Sequence, residues 1–133
     1  MGAWGYETFA DDITCDWLSE LLESKNPLLF LDESLSIEDI DYIEYDNGCR
    51  IIGACEALYS IKHSLRETTK EEFIEWVNNN KDLDINSLLL KAIDSATFVL
   101  SDRSELKELW SENEEDYPKW VKNIELLVEG LKM

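Results

Sequence analysis

Few side-chain types in this chain are equipped for chemistry. There is one histidine, His63, and there are three cysteines, Cys15, Cys49 and Cys55. A lone histidine without a second at i+3 or i+4 lacks the spacing of common metal sites. Its place near an expected helix C-terminus, where the backbone dipole favours a cation, is a sufficient reason for it. Nucleophilic catalysis by a Cys–His pair needs both groups within hydrogen-bond reach. Cys55 and His63 are eight residues apart on one expected helix, roughly 12 Å along its axis, so they cannot meet. An odd cysteine count without C-x-x-C argues against a disulfide framework and a zinc site. The three thiols read as small buried hydrophobes of a reducing compartment.

Carboxylates are too numerous to be diagnostic: 30 acidic against 12 basic residues, a net charge of −18. Glu56 is the exception, because Ala54-Cys55-Glu56-Ala57 surrounds it with small residues that pack inside a fold. A buried carboxylate needs donors. The expected ones are backbone N–H groups of residues 2–5 or the Trp4 indole. The catalytic alternative is a general acid with a raised pKa. The calcium-loop pattern is absent, as are a P-loop, G-x-G-x-x-G and G-x-S-x-G. No cofactor is expected.

The other acids cluster. Between residues 32 and 46 lie Asp32, Glu33, Glu38, Asp39, Asp41, Glu44 and Asp46, with no Lys or Arg among them. Tyr42 and Tyr45 are interleaved. This stretch reads as an irregular or partly extended connection, with at most a minor strand in 41–46. Long connections of this sort tend to be functional or mobile. A negative surface repels phosphate backbones, which excludes direct nucleic-acid binding, and it steers the chain toward a cationic protein. The candidate contact set is Asp39, Asp41, Tyr42, Glu44, Tyr45 and Asp46. A second acidic run, Glu112, Glu114, Glu115 and Asp116, competes with it. The bland reading is a solvated acidic loop on a surface charged for solubility.

The elements that position these residues are helical. The chain opens with Trp4 between Gly2 and Gly5, then Phe9 and Trp17, so the N-terminal segment is expected to dock into the core. Asp11 or Asp12 starts a first helix ending near Ser24-Lys25, with an apolar stripe including Ile13, Trp17, Leu18 and Leu21. Asn26-Pro27 opens a short second helix. Asn47-Gly48 closes the acidic stretch, and a third helix follows to about His63, with Gly53, Ala54 and Ala57 allowing close approach. Thr69-Lys70-Glu71-Glu72 reads as a capping box for a fourth. Asp84 caps a fifth, whose 3-4-3-4 repeat from Ile85 to Leu100 marks it as the expected central element. Ser104 caps a sixth carrying Trp110, and Tyr117-Pro118 opens a seventh carrying Trp120. The fold class is therefore all-α: one compact domain of six or seven helices, with Trp4, Trp17, Glu56 and Trp110 as its structural anchors. No secretory signal, myristoylation site or membrane span is evident, so a cytoplasmic location is expected.

The opening Met1-Gly2-Ala3-Trp4-Gly5, Phe9, the acidic pair and Asp16-Trp17 resemble the start of an uncharacterised bacterial family, domain of unknown function 4259. The Ala54–Ala57 segment and Ser104-Glu105-Leu106-Lys107-Glu108-Leu109-Trp110, followed by Trp120, match its later blocks in order. The acidic 32–46 stretch departs from it, being longer and more aromatic. The family brings no established activity and no catalytic residues. The chain is also similar in type to the small acidic immunity proteins that accompany bacterial toxins. The functional expectation is a non-enzymatic binding protein that occludes the active site of a cationic toxin, expected to be a nuclease. Two alternatives stay open: a regulatory or housekeeping domain that could be an oligomer, and an enzyme using Glu56.

Overall fold

The computed structural model describes residues 5–66 and 70–133. Over these residues the chain forms seven α-helices: α1 (Asp12–Glu23), α2 (Pro27–Ser34), α3 (Tyr45–Lys62), α4 (Glu71–Asn79), α5 (Leu89–Val99), α6 (Glu105–Ser111) and α7 (Tyr117–Lys132). A single 3-10 turn, Asn86–Leu88, leads into α5. The only extended pairing among the described residues is one parallel bridge between Ile43 and Ser104.

Local sequence explains most helix starts. The Asp11 carboxylate accepts from the Thr14 N–H at 2.7 Å, Asn26 caps α2 through the Leu29 N–H, and Ser104 caps α6 through the Lys107 N–H. Pro27 and Pro118 occupy first-turn positions, where a missing N–H costs nothing. Thr69 of the expected capping box lies outside the described residues, as does Trp4. Helix α4 begins with Lys70 at the cap position, which makes no side-chain cap bond.

The hub of the bundle is α3, not α5. Helix α3 packs against α1, α2, α4, α5, α6 and α7. From Ile51 to Leu58 every residue is buried, more than two full turns without an exposed face. A helix enclosed on all sides shows no apolar stripe, so its sequence understates its role. The clean repeat of α5 has the opposite cause. Its Ala92, Ala96 and Val99 are buried while Leu90 is 71% exposed, so it is a one-sided helix lying on the hub.

Close approach to α3 depends on Gly53. A Cβ there would stand 2.8 Å from the Trp17 ring. Trp17 is buried and its indole N–H donates to Ser34 Oγ at 2.9 Å, tying α1 to α2 beside the hub. Trp110 and Trp120 stack with centroids 6.3 Å apart and join α6 to α7. Of the opening segment expected to dock, Phe9 is buried, 4.8 Å from the Phe73 ring. Its φ of 72° is the left-handed region, which costs a bulky residue on the order of 1–3 kcal/mol. Burial of the ring is large enough to offset that.

The third helix starts earlier than expected, at Tyr45, so Asn47 and Gly48 sit in its first turn and close no loop. Both are placed by packing. Gly48 leaves room for Leu106, whose Cδ1 would lie 2.6 Å from an added Cβ. Asn47 is buried, and its amide reaches back into the preceding loop. Helix α2 also takes residues 32–34 out of the expected irregular stretch, leaving 35–44 as the connection.

Candidate partner-binding face

The connection 35–44 is fixed at both ends. On the α2 side, Ser95 Oγ donates to the Leu35 carbonyl at 2.7 Å, and Lys91 Nζ meets Asp32 Oδ1 and Ser36 Oγ at 3.0 Å each. Asn47 braces the middle: its Oδ1 accepts from the Glu38 N–H and its Nδ2 donates to the Ser36 carbonyl, both at 2.9 Å. On the α6 side, the Ile43 N–H donates to the Arg103 carbonyl at 2.7 Å and the Ile43 carbonyl accepts from the Glu105 N–H at 2.9 Å. The Ile43 side chain is buried. A strand-like residue at this point is what lets an acidic loop lie against α6 without a sheet.

Between these anchors the apex Asp39-Ile40-Asp41 faces solvent, with Ile40 69% exposed. The Asp39 carboxylate accepts from the Asp41 N–H at 2.8 Å, so the apex is a defined turn. Glu44 and Asp46 are exposed beside it. Among the described residues, none of Asp39, Asp41, Glu44 and Asp46 forms an ion pair. Tyr42 is half-buried, and its hydroxyl donates to Glu108 Oε2 at 3.0 Å. Desolvation, then Glu108, holds that phenol above its ordinary pKa. The basic groups nearby form a border. Arg50 pairs with Glu38, Lys107 with Asp102 at 2.9 Å, and Arg103 Nη1 donates to the Ile40 carbonyl at 3.4 Å. Lys107 holds the Asp102 carboxyl below the usual range.

Tyr45 does not belong to this surface. Its N–H donates to Glu105 Oε1 at 2.7 Å, but its ring turns to the far side of the helix start, beside Cys49 and Asp11. It is half-buried there, and burial followed by those two neighbours raises its pKa above the ordinary value. The second acidic run is split as well. Glu112, Glu114 and Glu115 are exposed, whereas Asp116 is half-buried at the start of α7, 3.8 Å from Lys119 Nζ. Glu112 lies four residues after Glu108, on the same helical face. Helix α6 therefore links the two acidic runs through Glu105 and Glu108, neither of which the linear sequence singles out. Ile40 was equally hidden, because Ile37 and Ile43 at i−3 and i+3 give it the apolar spacing of a buried position.

Glu56 has a different setting. It is buried in the hub, and both its oxygens are engaged by Arg66, with Nε to Oε2 at 2.7 Å. The expected donors among residues 2–4 lie outside the described residues, and the donor that meets the carboxylate is an arginine ten positions along the chain. Arg66 also reaches the Asn123 carbonyl at 3.4 Å and Thr8 Oγ1 at 3.5 Å, and lies 5.6 Å from the Tyr59 ring centroid. A cleft of about 270 Å³ borders the pair, walled by Phe9, Phe73 and Leu126. The arrangement ties α3, the segment after it, the N-terminal turn and α7 together.

Burial accounts for two of the three thiols; Cys15, expected to be buried too, is half-buried and its Sγ donates to the Phe9 carbonyl at 3.3 Å. Cys49 and Cys55 are both buried, which raises their thiol pKa values strongly and keeps them as thiols. Cys55 Sγ donates to the Ala92 carbonyl at 3.6 Å. His63 Nε2 lies 2.6 Å from the Gly130 carbonyl, which requires the N–H on that nitrogen. Among the described residues, no three His, Cys, Asp or Glu side chains converge as metal ligands. No helix among them is long and apolar enough to cross a membrane.

No curated protein and no solved structure matches this chain. The family model described as "Domain of unknown function (DUF4259)" matches residues 2–123 of the 133. With nearly the whole chain covered in that way, the chain belongs to the DUF4259 family.

Proposed function

We propose that this is a non-enzymatic binding protein whose acidic face docks on a cationic protein, the expected case being an immunity protein that occludes the active site of a nuclease toxin. The observation that carries the reading is the loop apex. Asp39, Asp41 and Glu44, on a loop held from both sides, and Asp46, in the first turn of α3, are exposed and form no ion pair among the described residues, and Ile40 is exposed with them. Charges left without internal partners are free for an external one, and a pre-ordered loop loses little entropy on binding. A nuclease groove is positive because it holds phosphates, and spaced carboxylates can take those positions. The ring of charge accelerates encounter, while Ile40 and Tyr42 supply the desolvated contact that slows release.

The test is inhibition. The basic protein captured by the wild-type chain from its host is assayed for nuclease activity with and without the chain. Inhibition by the wild type, and its loss on Ile40→Asp and on Asp39→Lys/Asp41→Lys, supports the reading. Equal inhibition by the loop variants would place the contact elsewhere.

A further inference from the structure

Two exposed lysines of this acidic chain stand beside an apolar depression. Lys119, Lys122 and Leu126 follow one another at helical spacing along the outer face of α7, and all three are exposed. Together with Tyr6, Pro118 and Asn123 they line a groove of about 470 Å³. Lys122 makes no ion pair among the described residues, and the ammonium of Lys119 is 3.8 Å from Asp116 and 5.9 Å from the centre of the Tyr6 ring. Leu126, at 48% exposure, is the apolar floor. Such a groove suits an apolar residue flanked by carboxylates. The chain itself presents that combination, already ordered, at Asp39-Ile40-Asp41.

We propose that the α7 groove receives the Asp39–Asp41 apex of a second copy of the chain, Ile40 against Leu126 and Pro118 and the two aspartates toward Lys119 and Lys122. This contact is heterologous: the surface used by one copy differs from that used by the other, so it propagates head to tail. Net repulsion between two copies of charge −18 opposes it. That repulsion is long-ranged, whereas the pairing is local, so at about 0.15 M salt, where the screening length is roughly 8 Å, the local term gains relative to the global one. The association is weak and concentration-dependent. It would also cover the loop apex, so a cationic partner and a second copy exclude one another. The inference does not depend on such a partner existing, because its test uses the purified chain alone.

Sedimentation velocity over a concentration series at about that salt reads it directly. The wild type is expected to form species growing with concentration. Asp39→Lys/Asp41→Lys keeps the groove and loses the apex; Lys119→Glu/Lys122→Glu keeps the apex and loses the groove. Each alone should be monomeric, and their equimolar mixture should form a heterodimer and nothing larger, since only one productive contact remains. Ile40→Asp, which retains the Asp39 turn, should also abolish wild-type growth, and circular dichroism checks that each variant is folded. A wild type that stays monomeric throughout overturns the proposal, as does a mixture that yields no heterodimer.

Discussion

Glu56 and Asp41 are both carboxylates on an acidic chain, and the fold uses them in opposite ways. Glu56 sits buried in the hub helix with both oxygens taken by Arg66, which is itself half-buried between α3 and α7. Asp41 stands at a loop apex and forms no ion pair among the described residues. Its setting is rigid because the backbone around it is held, by Asn47 and by the bridge to Ser104, while the charge itself is left alone. The comparison teaches that the order around a carboxylate has two sources in this molecule. At the buried site the ion pair provides the order. At the surface, the Asn47 amide, backbone bonds and the Asp39 turn provide it, which leaves Asp41 and Glu44 available.

That contrast can be broken by mutation, and the largest effect belongs to the buried pair. Removing Arg66 strands the buried Glu56 carboxylate, so Arg66→Ala should cost about 3–5 kcal/mol in urea unfolding, and Glu56→Gln, which leaves the partly exposed Arg66, should cost less. Replacing both by leucine should recover most of that loss. If the single variants unfold like the wild type, the pair is not the tie described above. Next comes Asn47→Ala, which leaves the Glu38 N–H and Ser36 carbonyl unpaired and should cost about 1–3 kcal/mol. Amide exchange should then speed up across 36–41 while α5 and α7 stay protected.

A smaller effect separates the two tyrosines from the rest. The phenols of Tyr45 and Tyr42 are held above the ordinary value of 10.0, chiefly by desolvation. A phenolate titration should show part of the absorbance change displaced above the ordinary value of 10.0. Because the unfolded chain loses these protons first, stability contributed by Tyr45 is present below pH 10 and declines as pH rises through the folded-state value. A titration in which all five tyrosines ionise together would contradict the burial of Tyr45. The smallest effect is expected at the apex. Asp39→Asn/Asp41→Asn/Glu44→Gln should change stability by less than about 0.5 kcal/mol, with any shift toward greater stability as repulsion falls. A large loss there would mean that these carboxylates serve the fold.

Much of this was legible from the residues. Helix starts could be read because caps and first-turn prolines act locally: Asp11, Asn26 and Ser104 each cap the helix that follows. The importance of Trp17 followed from its size and its place on the stripe. What escaped was non-local. Arg66 lies ten residues from Glu56 across a helix end, a spacing that no periodicity rule reports. The Asn47-Gly48 pair has the composition of a turn, yet tertiary packing against Leu106 and the loop draws it into a helix. Helix α3 hid its central place because enclosure on every side erases the stripe that marks a one-sided helix. At the surface, the acidic run was plain in the sequence. Its sorting was not: Tyr45 leaves it, while Ile40, Glu105 and Glu108 join it, and that depends on how the loop lies against α6.

The most direct test of the central claim is capture from the native host with tagged wild-type chain, beside Asp39→Lys/Asp41→Lys/Glu44→Lys and Glu112→Lys/Glu114→Lys/Glu115→Lys, each eluted with rising salt. The account predicts a basic protein held by the wild type and released by salt, lost from the first variant and retained by the second. Retention of the same protein at the same salt by the first variant would contradict it.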